Sequence, residues 1–455
     1  MADGSPFLID PTGWYDTNLN RYFHVQMSAE PLDTQAAVAY DLKRFLAFLW
    51  DNRGGKTWRE ATPEDRAAYK QWRLKDSRGP RVELVTWDRE VATVNMFYRW
   101  AVRQGHVAAN PIIQRESRSR EPGQQDSGET PAESSHQGPR HDVRWMPPAT
   151  YRQWRDVGVR GFTVAGLPDR PFRGRYASRN ATFTDFMVRT GLRLSEQTSL
   201  SLYEVPEMVP GVLNVRTWLP HAIAKGNSER AIYVPASVLK DVWDYLELER
   251  ADAVEQARKR GVYERIRDPL LIEDRSRPFV LIDGERQKIG KLNPTERLRV
   301  LIRTDDGGLE PAALWLNEYG MPSDRTCWQD VFKAANRRCA RLGLRLRCHP
   351  HMLRHSYAVI TLEQLWRGHI QELATMTPVQ RQTFQMAFGD PLNWVRMRLG
   401  HRSIQTTQIY LHTLHELEMQ TRMALVPDGW EPTGVHPVDL DEPQEPDDEE
   451  AALGR

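Results

Sequence analysis

At 455 residues the chain is longer than one ordinary hydrophobic core organises, so two domains with tails are expected. With 40% hydrophobic and 27% charged residues it has the composition of a soluble globular protein. No apolar run approaches the roughly 18 residues of a membrane span, and the opening MADGSPFLID lacks the basic-then-apolar pattern of a secretory leader. The net charge of +1 is an average: residues 427–455 hold ten acidic residues and one basic, leaving 61 basic against 51 acidic side chains on the rest, a surplus able to hold phosphates. The three cysteines, Cys327, Cys339 and Cys348, are odd in number and scattered, which fits a reducing, cytoplasmic setting.

Residues 1–29 show no clear periodicity, although Trp14, Tyr15, Tyr22 and Phe23 suggest a segment that packs on something. Asp33-Thr34 reads as a helix cap, followed by Val38, Leu42, Phe45, Leu46 and Leu49 at helical spacing. A second helix is predicted over 63–75. A third covers 86–103, with Val91, Val94, Phe97, Tyr98 and Ala101 as its buried stripe, closed by Gly105 and Asn110-Pro111. From 114 to 140 the composition turns to Ser, Gly, Pro, Gln and charge, too polar to offset its chain entropy, so a flexible linker is expected.

Beyond Trp145 the pattern mixes helices and short strands. Helices are predicted at 149–157 and 177–190, the latter ended by Gly191. Strands follow at 212–217 and 231–234 around the turn Lys225-Gly226-Asn227-Ser228, then a helix over 236–260. Residues 261–325 are poorly periodic, with strand candidates at 278–282 and 313–316. Further helices are predicted at 325–342, 353–365, 378–388 and across the last motif to 426. The acidic tail, ending DLDEPQEPDDEEAALGR, reads as disordered.

Three stretches carry chemistry: Thr190-Gly191-Leu192-Arg193-Leu194-Ser195-Glu196, His351-Met352-Leu353-Arg354-His355, and the run from Leu399-Gly400-His401 through Thr406-Thr407 to Tyr410. Cleaving a phosphodiester with a protein nucleophile requires that the non-bridging oxygens be neutralised, the nucleophile sit in line and the leaving oxygen gain a proton. Guanidinium suits the first task, because its fork of donors matches two phosphate oxygens and keeps its charge. Arg193 follows a helix end and precedes a helix start, with Glu196 available to brace it, and Arg354 lies one helical turn after His351. Taken singly, each arginine reads as surface charge, and Lys225 in its turn as a solvated lysine. Tyr410, with an ordinary pKa of about 10, needs a base or flanking positive charge, and His351 and His401 are the candidates to take its proton or hold the phosphate.

In this order and spacing the motifs resemble the tyrosine recombinase (phage integrase) family. The stretch Thr93 to Pro111, TVNMFYRWAVRQGHVAANP, is similar to the end of the core-binding domain in that family, and KGNSERAIYVP to the surroundings of its hairpin lysine. The resemblance covers 34–112 loosely and 145–425 in its motifs. It implies a mainly α fold with a small β-sheet (α+β): an N-terminal segment (1–29), a helical core-binding domain (30–112), a linker (113–144), a mixed catalytic domain (145–426) and an acidic tail (427–455). It also implies a site-specific recombinase or integrase that cuts and rejoins DNA through a 3′-phosphotyrosine. The site carried over is Arg193, Lys225, His351, Arg354, His401 and Tyr410, with Lys225 as the acid for the departing 5′ oxygen.

No metal or nucleotide cofactor is implied, because the phosphotyrosine conserves the energy of the cut strand. The partners implied are double-stranded DNA attachment sites, a homo-tetramer joining two duplexes through a Holliday junction, and a directionality factor as a candidate accessory, in the cytoplasm with the nucleoid. The segment after the tyrosine docks on a neighbour in the family, and Leu414, Leu417 and Met423 would supply that face, although packing within the same chain fits them equally.

The sequence departs from the family pattern in extra residues around 364–390 and 261–310, and in Gln197 where an apolar residue is common. A zinc site at Cys348, His349, His351 and His355 is disfavoured, since Met352 stands where a hydrolytic zinc helix wants Glu. The P-loop-like run 284–291 has one residue too many, and Leu292 replaces the needed Ser or Thr. Two alternatives use the same fold: a non-catalytic DNA-binding regulator, and an enzyme that relaxes or resolves a single duplex.

Overall fold

Helical repeats of apolar residues build the N-terminal third of the molecule. The computed structural model describes residues 4–116, 129–135, 143–174, 176–376 and 390–425, and the chain divides into two units, Met1–Arg140 and His141–Arg455.

The first unit contains α1 (Thr17–Arg21), α2 (Leu32–Asn52), α3 (Pro63–Leu74) and α4 (Leu84–Arg103). The Thr62 side chain accepts from the Asp65 N–H while Asp65 accepts from the Thr62 N–H, and Pro63 fills the first helical position, so α3 starts where its sequence says. Leu42, Phe45, Leu49, Tyr69, Trp87, Val91, Val94 and Phe97 form the core, all fully buried.

Two features of this unit differ from expectation. α2 begins at Leu32 with Pro31 at the cap, its carbonyl accepting from Thr34 and Gln35. Asp33 falls within the first turn, where a carboxylate faces the positive helix end, and does not form the cap with Thr34. In the N-terminal segment Tyr22 packs edge-on against Phe97 and Phe23 is buried, but Trp14 is exposed.

Parts of the expected linker are anchored. β1 (Gln114–Glu116) pairs antiparallel with β2 (Glu129–Pro131). The Glu133 carbonyl accepts from the Trp87 indole at 3.1 Å, and its carboxylate pairs with the Arg66 guanidinium at 3.0 Å. A polar composition therefore did not prevent docking, because a few backbone and charged groups found partners on the helical unit.

The second unit starts with α5 (Pro148–Trp154), which continues as a wider turn over Arg155–Val159. α6 (Ala177–Thr190) and the short α7 (Leu194–Thr198) follow. β3 (Asn214–Leu219) and β4 (Arg230–Pro235) form an antiparallel hairpin that pairs Val215 with Val234 and Leu219 with Arg230. α8 (Ala236–Tyr245) runs through Leu246–Arg250 into α9 (Ala251–Lys259), as the single long helix expected.

The poorly periodic region forms a small β module: β5 (Leu270–Ile272), β6 (Phe279–Ile282), β7 (Glu285–Lys288), α10 (Pro294–Arg297), β8 (Val300–Arg303) and β9 (Leu309–Pro311). β8 lies between β5, which is parallel to it, and β9, which is antiparallel, while β6 and β7 pair as a hairpin. Residues 313–316 are not a strand as expected. They are buried extended chain held by isolated bridges, Ser201 to Ala313 and Leu316 to Pro322.

α11 (Arg325–Arg341), α12 (Pro350–Thr375), α13 (Pro391–Leu399) and α14 (Gln405–Leu425) complete the unit. α12 is longer than expected at both ends and packs on α6, α13 and α14. The helix expected at 378–388 and the acidic tail lie outside the described residues. The fold is mainly helical with small sheets, as expected from the sequence.

Candidate active site

The Gly191 corner comes first. Gly191 ends α6 at φ 67°, and a Cβ there would sit 2.3 Å from the Tyr357 ring, so glycine meets both a conformational and a steric demand. The turn delivers Arg193 to the cap of α7, where Glu196 accepts from the Arg193 backbone N–H at 2.9 Å and from its guanidinium at 2.8 Å. Glu196 is fully buried and also receives both arms of Arg230, at 2.6 and 3.2 Å, and the backbone N–H of Lys225 at 3.3 Å. Burial alone would raise its carboxyl, but the Arg230 and Arg193 guanidiniums outweigh that and hold it at about 2. One carboxylate thus ties Arg193, the start of the Lys225 turn and β4 together.

Lys225 occupies the expected turn between β3 and β4, with Gly226 at φ 69° and the lysine side chain exposed. Its backbone N–H bonds to Glu196, which places the turn beside the Arg193 corner. The Arg402 guanidinium donates to the Gly226 carbonyl at 3.2 Å, linking this turn to the corner after α13.

Arg354, on α12, is 1% exposed and donates to the carbonyls of Gly191, at 2.6 Å, and Leu399. It therefore bridges the first and last motifs. Burial, then the Arg193 charge, lower it to about 9, which leaves it protonated at neutral pH. His351, one turn earlier, is exposed, and its ring centroid lies 4.4 Å from that of His355. Desolvation by the surrounding chain, then Arg354, lower its pKa.

α13 ends at Gly400, φ 63°, where a Cβ would meet the Ser228 hydroxyl at 2.8 Å. The Arg398 carbonyl just before it accepts from Arg230 at 2.7 Å. His401 follows, its Nδ1 3.0 Å from the Thr407 hydroxyl, so the second threonine of the motif orients the imidazole. Burial, then Arg354 and Arg193, push His401 down to about 3.

Tyr410 lies in the second turn of α14, 1% exposed, in a small core with Tyr357, Ala358, Leu392, Val395 and Leu399. Leu414 packs on this same core within the chain, while the side chains of Leu417 and Met423 lie outside the described residues. The Tyr410 ring stacks near His401, with centroids 6.4 Å apart, but its hydroxyl bonds to Nδ1 of His355 at 2.9 Å. Burial raises the phenol to about 12 against the pull of Arg354 and Arg193.

The structure brings Arg193, Lys225, His351, Arg354, His401 and Tyr410 into one region of the second unit. Sequence reading missed Arg230 and His355. A histidine directly after the arginine was visible, but its contact with Tyr410 spans 55 positions and has no local signature. Among the described residues no group of three or more His, Cys, Asp or Glu is arranged to hold a metal ion, and no helix is long and apolar enough to cross a membrane.

Arginines and histidines gathered around one buried tyrosine, on a mainly helical unit, define the tyrosine recombinase class. Residues 174–373 match the family described as "Phage integrase family", and residues 22–105 match "Phage integrase, N-terminal SAM-like domain". Arg193, Lys225, His351 and Arg354 fall within the first match, and His401 and Tyr410 lie beyond it. The chain is similar to the tyrosine recombinase XerC of Lactobacillus delbrueckii subsp. bulgaricus, 22% identical over 380 residues, 83% of this chain and 88% of that protein. It is 22% identical to the tyrosine recombinase XerD of Lacticaseibacillus casei over 382 residues, 83% of this chain and 87% of that protein. Among solved structures, a XerH site-specific recombinase bound to a palindromic difH substrate aligns at a TM-score of 0.45 and 13% identity, over 87% of this chain and 80% of that one. The chain belongs to the phage integrase family, the tyrosine recombinases, and is a site-specific recombinase by class.

Proposed function

We propose that this protein cuts and rejoins double-stranded DNA at specific sites through a 3′-phosphotyrosine at Tyr410, integrating or excising a mobile element. The observation that carries this reading is the Arg354 bridge: one buried guanidinium bonds both the Gly191 corner beside Arg193 and the Leu399 carbonyl that precedes His401.

In this mechanism Arg193 and Arg354 hold the non-bridging oxygens of the scissile phosphate. His401, oriented by Thr407, and His351 complete the phosphate pocket. The Tyr410 oxygen forms a bond to phosphorus, the bond from phosphorus to the 5′ oxygen breaks, and Lys225 gives that oxygen its proton. Attack by the 5′ hydroxyl of a partner strand reverses these events and releases the tyrosine. The phosphotyrosine conserves the energy of the original bond, so the residues require no metal or nucleotide. Because Tyr410 is 1% exposed, attack requires that the packing around α14 open when DNA binds. Strand exchange between two duplexes calls for four protomers, and a directionality factor would bias the outcome.

The test is a nicked duplex carrying the attachment site that flanks the encoding element, which traps the cleaved strand. Wild type should form a covalent adduct on denaturing gels without added metal, and Tyr410→Phe should form none. Tight binding without an adduct would favour the regulatory reading, and an adduct with Tyr410→Phe would assign the nucleophile elsewhere. Adduct formation without exchange between two duplexes would favour the single-duplex enzyme.

A further inference from the structure

We propose that His355 is a catalytic residue: its neutral imidazole accepts the Tyr410 proton at Nδ1 as the phenol attacks the phosphate. The inference rests on the recombinase reading and adds the base that reading leaves unassigned.

The Tyr410 hydroxyl and His355 Nδ1 are 2.9 Å apart, within the reach of direct proton transfer. The other two histidines are differently engaged. His401 Nδ1 faces the Thr407 hydroxyl, and its ring stacks beside the tyrosine ring. His351 lies beyond His355, one helical turn back.

The placement of His355 is rigid because Arg354, the preceding residue, is pinned by two carbonyls from different elements. One stretch of α12 thus presents both a guanidinium for the phosphate and an acceptor for the nucleophile's proton. Exposure also grades outward, from a fully buried Tyr410 through a part-buried His355 to an exposed His351. A proton taken from the phenol therefore has a short way to water.

The charged and titratable groups that face His355 are Arg354, His351 and His349 from its own helix and the turn before it, and Tyr410 and His401 from the C-terminal elements. Burial, then His351 and Arg354, hold His355 at about 3, so at neutral pH its lone pair is free when the hydrogen sits on Nε2. A phosphodiester between Arg193 and Arg354 adds a negative charge that offsets those cations and raises the basicity of His355. The base would therefore gain strength only when substrate is bound. In the step itself, the phenolic O–H bond breaks, the proton moves to Nδ1, and the freed oxygen pair forms the bond to phosphorus. The departing 5′ oxygen takes a different proton, from Lys225.

Single-turnover cleavage of the nicked duplex, at saturating DNA, tests this with His355→Asn and His355→Phe. Asparagine keeps a polar atom near the Nδ1 position but cannot take a proton. Its cleavage rate should fall on the order of 100-fold with DNA affinity unchanged, and phenylalanine should do no better. A duplex with sulfur in place of the 5′ bridging oxygen, whose leaving group needs no proton, should restore Lys225→Ala but not His355→Asn. Cleavage by His355→Asn near the wild-type rate would reduce His355 to orienting the phenol and overturn the proposal. Rescue of His355→Asn by sulfur would make it an acid and overturn it equally. If phenylalanine fails to fold, asparagine still decides. Absence of any adduct with wild type would instead refute the recombinase reading itself.

Discussion

Two buried arginine centres in the second unit use the same side chain to opposite ends. Arg297, which anchors the β module, is paired fork to fork with Glu204 at 3.0 and 3.2 Å. Its remaining bonds go to the carbonyls of Leu292, Ser199 and Ile289, so every N–H it owns is committed and one anion balances one cation. The Gly191 corner is built otherwise. Two guanidiniums, Arg193 and Arg230, share one carboxylate, Glu196, and a third, Arg354, bonds only to two carbonyls among the described residues. The first centre is closed and serves the fold. The second holds surplus positive charge at fixed positions, which is costly for stability and useful to an anion that arrives later.

The largest expected effect is on Arg354. Arg354→Ala should slow cleavage by about 10²–10³-fold or more, and should cost about 1–3 kcal/mol of stability by leaving the Gly191 and Leu399 carbonyls without their donor. Arg297→Met should show the reverse, losing about 3–5 kcal/mol of stability by stranding Glu204 while the rate per folded molecule holds. Chemical denaturation alongside single-turnover cleavage reads both, and a rate collapse in Arg297→Met without unfolding would break the comparison.

An acid titration sharpens it. His355 and His401 are depressed to about 3 in the folded site, against an ordinary value near 6.5. Between those values the unfolded chain binds more protons, so their stability contribution is complete above about pH 6.5 and is lost as pH falls towards 3. Melting temperature should begin to drop before carboxylates titrate, and His355→Asn should flatten part of that slope. Glu196, held at about 2, adds a further loss below its ordinary range. The smallest effect is expected for Arg402→Ala, which removes one exposed bond to Gly226: under about 1 kcal/mol, with a modest slowing through a looser Lys225 turn.

How much of this was legible in the sequence follows from distance along the chain. Gly191 and Gly400 announce helix ends by a local rule, and the helical stripes of α2 to α4 repeat within a few residues. The six candidate site residues could be nominated because family spacing stands in for three-dimensional information. Arg230 was not, because its bonds to Glu196 and the Arg398 carbonyl span 34 and 168 positions. Of the β module only β6 was expected, at 278–282, and the remaining strands were missed for a related reason. Its strands are three or four residues long, and Leu270–Ile272 and Val300–Arg303 meet in parallel across 30 positions, too short and too remote for any periodic signal. Docking of Glu133 likewise depends on one carbonyl bonded by the Trp87 indole and one ion pair with Arg66, which composition cannot reveal.

The burial of Tyr410 has a use in labelling chemistry. Tyr40 and Tyr319 are 65% and 57% exposed and should react readily with tyrosine-directed electrophiles, whereas Tyr410, at 1%, should be shielded in the free protein. Mass mapping of labelled peptides in a DNA titration would therefore carry its own internal standard. Gain of label at Tyr410 against constant label at Tyr40 and Tyr319 would time the opening of α14 separately from strand cleavage, in Lys225→Ala protein where the phosphodiester stays intact.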